Sequence, residues 1–338
     1  MSLADELVIC HWYYLTFIPF PVHKRFLFLV SLAFCLAGKA FAQHFVVART
    51  GLFAPQHKQV LLLQDNASGK KMVFFKTNLY VNTDGTPISY HPLDLGGANK
   101  AINNIGNAIV VKRVGSNSNL CLNSHTYQEA MDVFKRYRDS GYVAVPAGYL
   151  ITWDNVLIPE TVNGHRKPCI IKTGKYQGYF ASATSLKNGL TSNRGECECN
   201  NQVNPLEVPA LVLAGGSTNP VAAYGAKVGD LVIAYNSSNG KLVYAIINDK
   251  GPANNLGEGS VLLNMKLANK TTFPTNQREA NNLSINSNIP IAIIPGSLSF
   301  HSTRPYTNEN IISRVDAWLS EAGFRSKDDL IRYLVAVK

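Results

Sequence analysis

Short apolar segments alternate along the chain with clusters of Gly, Pro, Asn and Asp. Val, Ile, Thr and Tyr are frequent in these segments, each of which is a few residues long. Such segments, bounded by turn-forming residues, are typical of β-strands. We therefore predict a mainly β fold, with strands at 45–48, 59–63, 71–75, 108–112, 169–172, 210–214, 230–235, 242–247 and 290–294. The Asn-rich segment 278–287 is expected to be a surface loop.

Two segments instead have the spacing of amphipathic helices. Apolar residues fall on one helical face at 127–137 and again at 311–319. Ser326 and Asp329 are spaced as a capping box, which predicts a last short helix after them. Trp318 belongs to the second apolar stripe, so we expect it in the core and not as an exposed platform for a sugar ring.

The first 42 residues contain the features of an export signal. The basic segment His23-Lys24-Arg25 precedes an apolar run at 26–37, and Ala40-Phe41-Ala42 follows. A signal peptidase recognises this order, and an apolar run of about a dozen residues is short for a membrane-spanning helix. We predict cleavage near Ala42, a secreted or periplasmic location and no stable membrane insertion after cleavage; an N-terminal membrane anchor is the alternative.

The chain has the composition of a folded protein that can bury one large core, or a core plus a small satellite domain. Hydrophobic residues make up 46% of the sequence and charged residues 16%, which excludes an intrinsically disordered chain. We expect a main domain at 43–300 and a C-terminal helical segment at 301–338 packed on it. The net charge is +10, and +9 without residues 1–42. No basic run interleaved with aromatic residues accompanies this charge, so we do not expect nucleic acid as a partner.

Four cysteines remain after the predicted cleavage. In an oxidising compartment Cys121, Cys169, Cys197 and Cys199 are expected to form two disulfides, with three pairings open. Cys197 and Cys199 are too close in sequence to bridge each other without strain. Zinc binding is the alternative use of these residues, but no histidine has a ligand spacing from them. We therefore predict no metal and no other cofactor.

The segment 228–267 carries the most informative chemistry. A predicted hairpin ends at Asp249, and Glu258 follows after a loop that can fold back toward it. Glycoside hydrolysis needs two carboxyl groups, one protonated and one ionised, and this pair can supply both. Gly257 and Gly259 would let the backbone approach a ligand closely. The alternative is that Asp249 is an ordinary turn residue.

Several motifs occur in a fixed order along the chain. They are Phe74-Phe75-Lys76, Asn82-Thr83-Asp84-Gly85 leading to Tyr90-His91, Gly178-Tyr179-Phe180 leading to Thr184-Ser185-Leu186, Val208-Pro209-Ala210, Gly229-Asp230-Leu231, Asp249 and Gly257-Glu258-Gly259-Ser260. In this order they resemble the fungal-type chitosanases of glycoside hydrolase family 75. The similarity extends from about residue 73 to about residue 296.

The resemblance implies an inverting endo-hydrolase that cleaves β-1,4 linkages in chitosan or a related glucosamine polymer. Glu258 would protonate the glycosidic oxygen, and Asp249 would activate a water on the opposite face of the sugar. Inversion requires the two carboxyl groups to be roughly 6.5–9.5 Å apart. The residues expected to bind substrate are Asp84, Tyr90, His91 and Ser260. For His91 and Ser260 a purely structural role is the alternative.

Asn82 departs from the family pattern, which has an aspartate there. An acidic group at that position could hold a glucosamine ammonium, a role that Asp84 could keep in part. The net charge also opposes the approach of a polycation at long range. Acidic groups in the cleft can override this repulsion at short range, because the Debye length is about 8 Å at physiological salt.

The turn at 248–252 also resembles the N-D-R-G-P turn of double-psi β-barrels, found in rare lipoprotein A-type lytic transglycosylases and in expansins. The likeness covers about forty residues and implies a small double-psi-like β-barrel core with loop elaborations and a C-terminal helical tail. Two alternative functions stay open. One is a peptidoglycan-acting lytic enzyme with Asp249 as its only essential acid, and the other is a non-catalytic carbohydrate-binding protein.

Overall fold

Short strands and helices alternate in the structure, a computed structural model that describes residues 45–190, 196–216 and 219–337. The strands are β1 (Phe45–Phe53), β2 (Lys58–Asp65), β3 (Lys71–Asn82), β4 (Val110–Arg113), β5 (Tyr149–Thr152), β6 (Pro159–Val162), β7 (His165–Pro168), β8 (Ala210–Leu213), β9 (Leu231–Asn236), β10 (Lys241–Lys250), β11 (Glu258–Ser260) and β12 (Ile285–Ile294). The α-helices are α1 (Tyr127–Asp139), α2 (Pro220–Ala223), α3 (Val261–Leu267), α4 (Gln277–Asn281), α5 (Asn308–Glu321) and α6 (Lys327–Ala336). The predicted export signal lies outside the described residues.

Six of the strands close into a barrel, which confirms the predicted small β-barrel core. Their order is β3, β11, β8, β10, β9 and β12, and β12 pairs again with β3. The pairs β3 with β11 and β8 with β10 are parallel, and the other four pairs are antiparallel. The hairpin of β1 and β2 extends the sheet beyond β3. Closure leaves the six barrel strands without free edges.

Alternate residues of the barrel strands face two different hydrophobic clusters. Val73, Val232 and Ile293 belong to the cluster that fills the barrel interior. Residues of the opposite face pack with the C-terminal helices α5 and α6 against the outside of the barrel. Trp318 of α5 is 6% exposed and its ring centroid lies 6.1 Å from that of Phe45, so the expectation that it belongs to the core is confirmed.

A buried arginine ties α5 to the turn after β12. Arg314 is 2% exposed; its Nε donates to the carbonyl of Phe300 at 2.7 Å, and its Nη2 donates to the carbonyls of Ser297 at 2.7 Å and Leu298 at 3.0 Å. Burial lowers the pKa of Arg314 from its ordinary value. These hydrogen bonds replace water around the guanidinium and so fix the position of the helix.

The loop elaborations lie between β3 and β8 and have a core of their own. Helix α1 and the hairpin of β4 and β5 enclose Phe134, Trp153 and Phe180, all of them buried. Cys169 and Cys197 form a disulfide within this insertion. Cys121 is a free thiol, so the expectation of two disulfides is wrong.

Two local predictions are also wrong. A strand was expected at 169–172, but β7 ends at Pro168 and Ile170 forms only an isolated bridge with Phe180. The Asn-rich segment 278–287 was expected to be a surface loop, yet it contains most of α4 and the start of β12. Asn276 caps α4 by accepting a hydrogen bond from the backbone N–H of Glu279 at 2.9 Å, which explains the helix. Among the described residues, no helix has the length and hydrophobicity that crossing a bilayer requires.

Candidate active site

A bulge in β10 sets the direction of Asp249. Ile247 pairs with Leu211 of β8 and Asp249 pairs with the next residue, Val212, so Asn248 is an extra residue between them. In a regular strand Ile247 and Asp249 would face the same side. Because paired neighbours share a face, Ile247 points into the barrel with Leu211, whereas Asp249 points outward with Val212. The bulge therefore moves the carboxylate from the apolar interior to the outer face.

The Asp249 carboxylate is held by the inserted segment. Its Oδ1 accepts hydrogen bonds from the Ser185 hydroxyl at 2.5 Å, the Ser185 backbone N–H at 3.1 Å and the Lys250 N–H at 2.8 Å. Burial raises the pKa of Asp249, while these hydrogen bonds and the nearby Lys187 charge act in the opposite direction. The group is thus partly desolvated and fixed in orientation.

Glu258 lies on the neighbouring strand β11, which also pairs with β8. It is in register with Val212 on one side and with Tyr80 of β3 on the other. Its Oε2 accepts a hydrogen bond from Asn82 Nδ2 at 3.0 Å, and its Oε1 accepts one from Asn255 Nδ2 at 2.5 Å. Two amide groups therefore fix the Glu258 carboxylate.

The shared partner Val212 places the two carboxylates in relation to each other. Asp249 and Glu258 pair with Val212 from opposite sides of β8, so both project from the same face. Neighbouring strands lie about 4.8 Å apart, which puts the two Cα atoms about 9.5 Å apart. This spacing is compatible with a pair of carboxyl groups acting on two sides of one sugar linkage.

Asp84 adds a third carboxyl group to the cluster. Its backbone N–H donates to Asn82 Oδ1 at 2.8 Å, and its Oδ1 accepts a hydrogen bond from the Tyr90 hydroxyl. Desolvation of the carboxyl group raises the pKa of Asp84 to about 7, although part of the residue stays exposed. The Tyr90 hydrogen bond opposes this rise, and the charges of Asp249 and Glu258 add to it.

Tyr90 supports Asp84 from the core of the insertion. Its ring is fully buried, and its hydroxyl also accepts a hydrogen bond from Asn103 Nδ2 at 3.0 Å. Burial, together with the Asp84 charge, raises the pKa of Tyr90. Tyr90 therefore stays a hydrogen-bond donor to Asp84, and its side chain is buried behind that carboxyl group.

His91 and Ser260 lie in structural positions. His91 Nδ1 accepts from the backbone N–H of Leu93 at 3.1 Å, and its ring packs edge-on against Tyr179 at 5.0 Å. Burial lowers the pKa of His91. The Ser260 hydroxyl is buried and accepts from the backbone N–H groups of Ala210 at 2.9 Å and Leu263 at 3.2 Å, so it caps α3. For both residues the described contacts fit the structural alternative.

The glycines around Glu258 serve protein packing. Gly257 has a φ of +97°, and a Cβ there would lie 2.2 Å from the Asn78 carbonyl oxygen. A Cβ at Gly259 would lie 2.2 Å from Asn264 Oδ1. The backbone at these glycines is therefore approached closely by β3 and α3, and not by a ligand as expected.

Sequence reasoning missed three residues of the site. Ser185 binds Asp249 across 64 positions of sequence, and Asn255 binds Glu258 from within the loop. Tyr80 is 41% exposed and shares the outer face with Glu258, with which it is in register. Its position two residues before the motif Asn82–Gly85 carried no signal, because alternation in β3 alone does not reveal which face is exposed.

One group of side chains that could bind a metal ion occurs among the described residues, outside the carboxyl cluster. One ligating atom each of Glu160, Cys169 and Cys197 lies within 4.8 Å of the others. Cys169 and Cys197 form a disulfide, so neither offers a thiolate. Lys167 and Lys172 pair with the Glu160 carboxylate at 3.6 and 3.3 Å. A metal could bind there only after reduction of the disulfide.

No protein-family model matches the chain, and no curated protein is detectably similar to it. The carboxyl cluster and the residues that orient it are therefore the features of this protein that bear on its function.

Proposed function

We propose that the protein is an exported glycoside hydrolase that cleaves a glucosamine-containing polysaccharide. One observation carries the proposal: Asp249 and Glu258 flank Val212 on the same outer face of the barrel, with Asp84 beside them. Acid and base catalysis by two carboxyl groups in different environments is the chemistry that glycosidic bonds require.

The surroundings of the cluster favour a sugar polymer as the substrate. Tyr80 presents an exposed aromatic ring on the face that carries Glu258, and aromatic faces pack against sugar rings. Asp84, Asp249 and Glu258 are close enough for their charges to interact, and the Lys187 ammonium acts on Asp249. This local excess of acid suits amino sugars, although the whole protein is cationic.

The roles within the cluster follow from its contacts. In the inverting mechanism that the family resemblance implies, Glu258 donates a proton to the leaving oxygen and Asp249 activates a water. Asp84, with a pKa of about 7, is the group most suited to carry a proton at neutral pH. It can therefore serve as a neutral hydrogen-bond donor to substrate below pH 7 and as an ammonium partner above it.

Reducing-end release from chitosans of graded acetylation tests this proposal. The mature protein is compared with Asp249→Asn, Glu258→Gln and the surface control Asp132→Asn. We expect both site variants to lose activity, the control to keep it, and NMR to show an inverted anomer in the product. Activity on peptidoglycan that leaves anhydro ends and needs only Asp249 would identify a lytic transglycosylase. Binding to polysaccharide with no cleavage would identify a carbohydrate-binding protein.

A further inference from the structure

A groove of about 400 Å³ lies at the opposite end of β10 from Asp249. Its walls are the start of β10, the segment after α3 and the first turns of α5 and α6. Four lysines surround it: Lys241, Lys266, Lys270 and Lys327. They come from three separate parts of the chain, since Lys266 and Lys270 belong to the end of α3 and the segment after it, and these parts meet only in the folded protein.

The four ammonium groups are exposed, and none of them forms an ion pair with a carboxylate of the described residues. No carboxylate lines the groove among the described residues; the acidic residues that neighbour its walls in sequence or by charge are Glu309, Asp316, Asp328 and Asp329. The lining residues themselves therefore include four ammonium groups and no carboxylate. Their positive charge is available to a ligand.

Two helix N-termini add to this positive potential. Asn308 is the first residue of α5 and Lys327 the first residue of α6, and both line the groove. The first backbone N–H groups of a helix carry a partial positive charge that attracts anions. Glu309, Asp328 and Asp329 lie in these first turns and oppose this potential, but none of them lines the groove, and Asp329 pairs with Arg332 at 3.5 Å.

The other lining residues indicate what kind of anion fits. Asn269, Thr271 and Asn308 offer amide and hydroxyl groups that hydrogen-bond to hydroxyl-rich chains. Tyr244 is the one aromatic side chain among the described lining residues; it is buried beneath Lys327, whose Nζ lies 5.7 Å from the ring centroid. The groove therefore lacks the exposed ring on which unpaired bases stack.

We propose that this lysine groove binds an anionic glycan, a hydroxyl-rich polymer with repeated phosphate or carboxylate groups. Lysine ammonium groups bind such anions as compact point charges. Lys241 and Asp249 lie eight residues apart on β10, about 25 Å, so the groove is separate from the carboxyl cluster. The inference does not depend on the proposed hydrolase activity.

Binding to defined polymers at 0.15 M salt tests the inference. The probes are polygalacturonate for carboxylates, poly(glycerol phosphate) for phosphates, neutral dextran and duplex DNA. We expect at least one of the two anionic polymers to bind, and the double variant Lys241→Gln/Lys270→Gln to weaken that binding about 25-fold, or about five-fold per lysine. The preferred probe identifies the anionic group.

The matched control removes the same charge elsewhere. Lys135 and Lys227 are exposed and form no ion pair within the described part of the chain. Lys135→Gln/Lys227→Gln is expected to change the affinity less than about two-fold, because distant charges are screened. Equal weakening by both double variants, tighter binding to duplex DNA, or no binding to either anionic polymer would each overturn the inference. Unchanged thermal midpoints of both variants exclude unfolding as the cause.

Discussion

The two ends of β10 carry opposite charge in opposite environments. At Asp249 three carboxyl groups are crowded together and partly desolvated, and burial raises the pKa of both Asp249 and Asp84. At Lys241 four ammonium groups surround an open groove and stay in contact with water. Desolvation changes how readily a group exchanges a proton, whereas an exposed group keeps its charge and acts through attraction. The first end therefore suits chemistry and the second suits binding.

Changing the residues at one end of β10 at a time tests whether the two sites act independently. Asp249→Asn is expected to lower kcat on chitosan about 10²- to 10⁴-fold, because it removes the proton-accepting carboxylate. The same variant is expected to bind the anionic polymer normally. Lys241→Gln/Lys270→Gln should show the reverse pattern. If either variant impaired both activities, in hydrolysis and polymer-binding assays, the two ends would not be independent sites.

Adding a methyl group at Gly257, directly before Glu258, and at Gly240, directly before β10, compares the packing at the two sites. Gly257→Ala is expected to lower the free energy of unfolding by about 3–4 kcal/mol, because the new Cβ overlaps the Asn78 carbonyl at a positive φ. Gly240→Ala also has a positive φ, +72°, but its Cβ meets open space. It should cost only about 1 kcal/mol. Urea unfolding measures both, and equal costs would show that packing around Glu258 is loose.

The stability of the folded protein is expected to depend on pH through the carboxyl group of Asp84. Its pKa is raised to about 7 in the folded protein, against about 3.9 in an unfolded chain. The folded state therefore holds more protons between these values, and stability falls as the pH rises from about 4 to 7. Asp84→Asn should remove this loss and stabilise the protein at pH 8 by about 1–3 kcal/mol, with no gain near pH 4.

Thermal unfolding from pH 4 to 8 measures the effect, and Asp132→Asn on the exposed surface of α1 is the control. An equal gain for Asp84→Asn at pH 4 and pH 8 would mean that Asp84 is ionised throughout this range. If Asp84 donates a hydrogen bond to the substrate, the activity of the wild-type protein should decline above about pH 7 more steeply than the activity of Asp84→Asn.

The smallest predicted effect concerns Tyr80. Tyr80→Ala is expected to raise KM for chitosan oligomers about five-fold with little change in kcat, because it removes a ring that packs on a sugar away from the reacting bond. Tyr80→Phe keeps the ring and should behave like the wild type. A fall in kcat with unchanged KM would place Tyr80 among the groups that position Glu258, with which it is in register.

Regular segments of the chain could be predicted because their patterns are local. The strands near 71–75, 230–235, 242–247 and 290–294 are short apolar runs bounded by turn-forming residues, and α1 has a repeat of 3.6 residues, so a short window of the sequence displays each of them. Strand β11 could not be predicted in this way. It has three residues, one of them glycine, and it exists because β3 and β8 supply hydrogen bonds on both sides.

The sequence alone determined a β-rich fold with C-terminal helices and singled out Asp249, Glu258 and Asp84. Only the tertiary structure decided which faces they occupy, which disulfide forms, and that Ser185 and Asn82 orient the carboxylates. It also gathered four lysines from 241 to 327 into one groove. The reason is physical: propensity and periodicity act over a few residues, whereas burial, charge proximity and strand register depend on segments that meet only after folding.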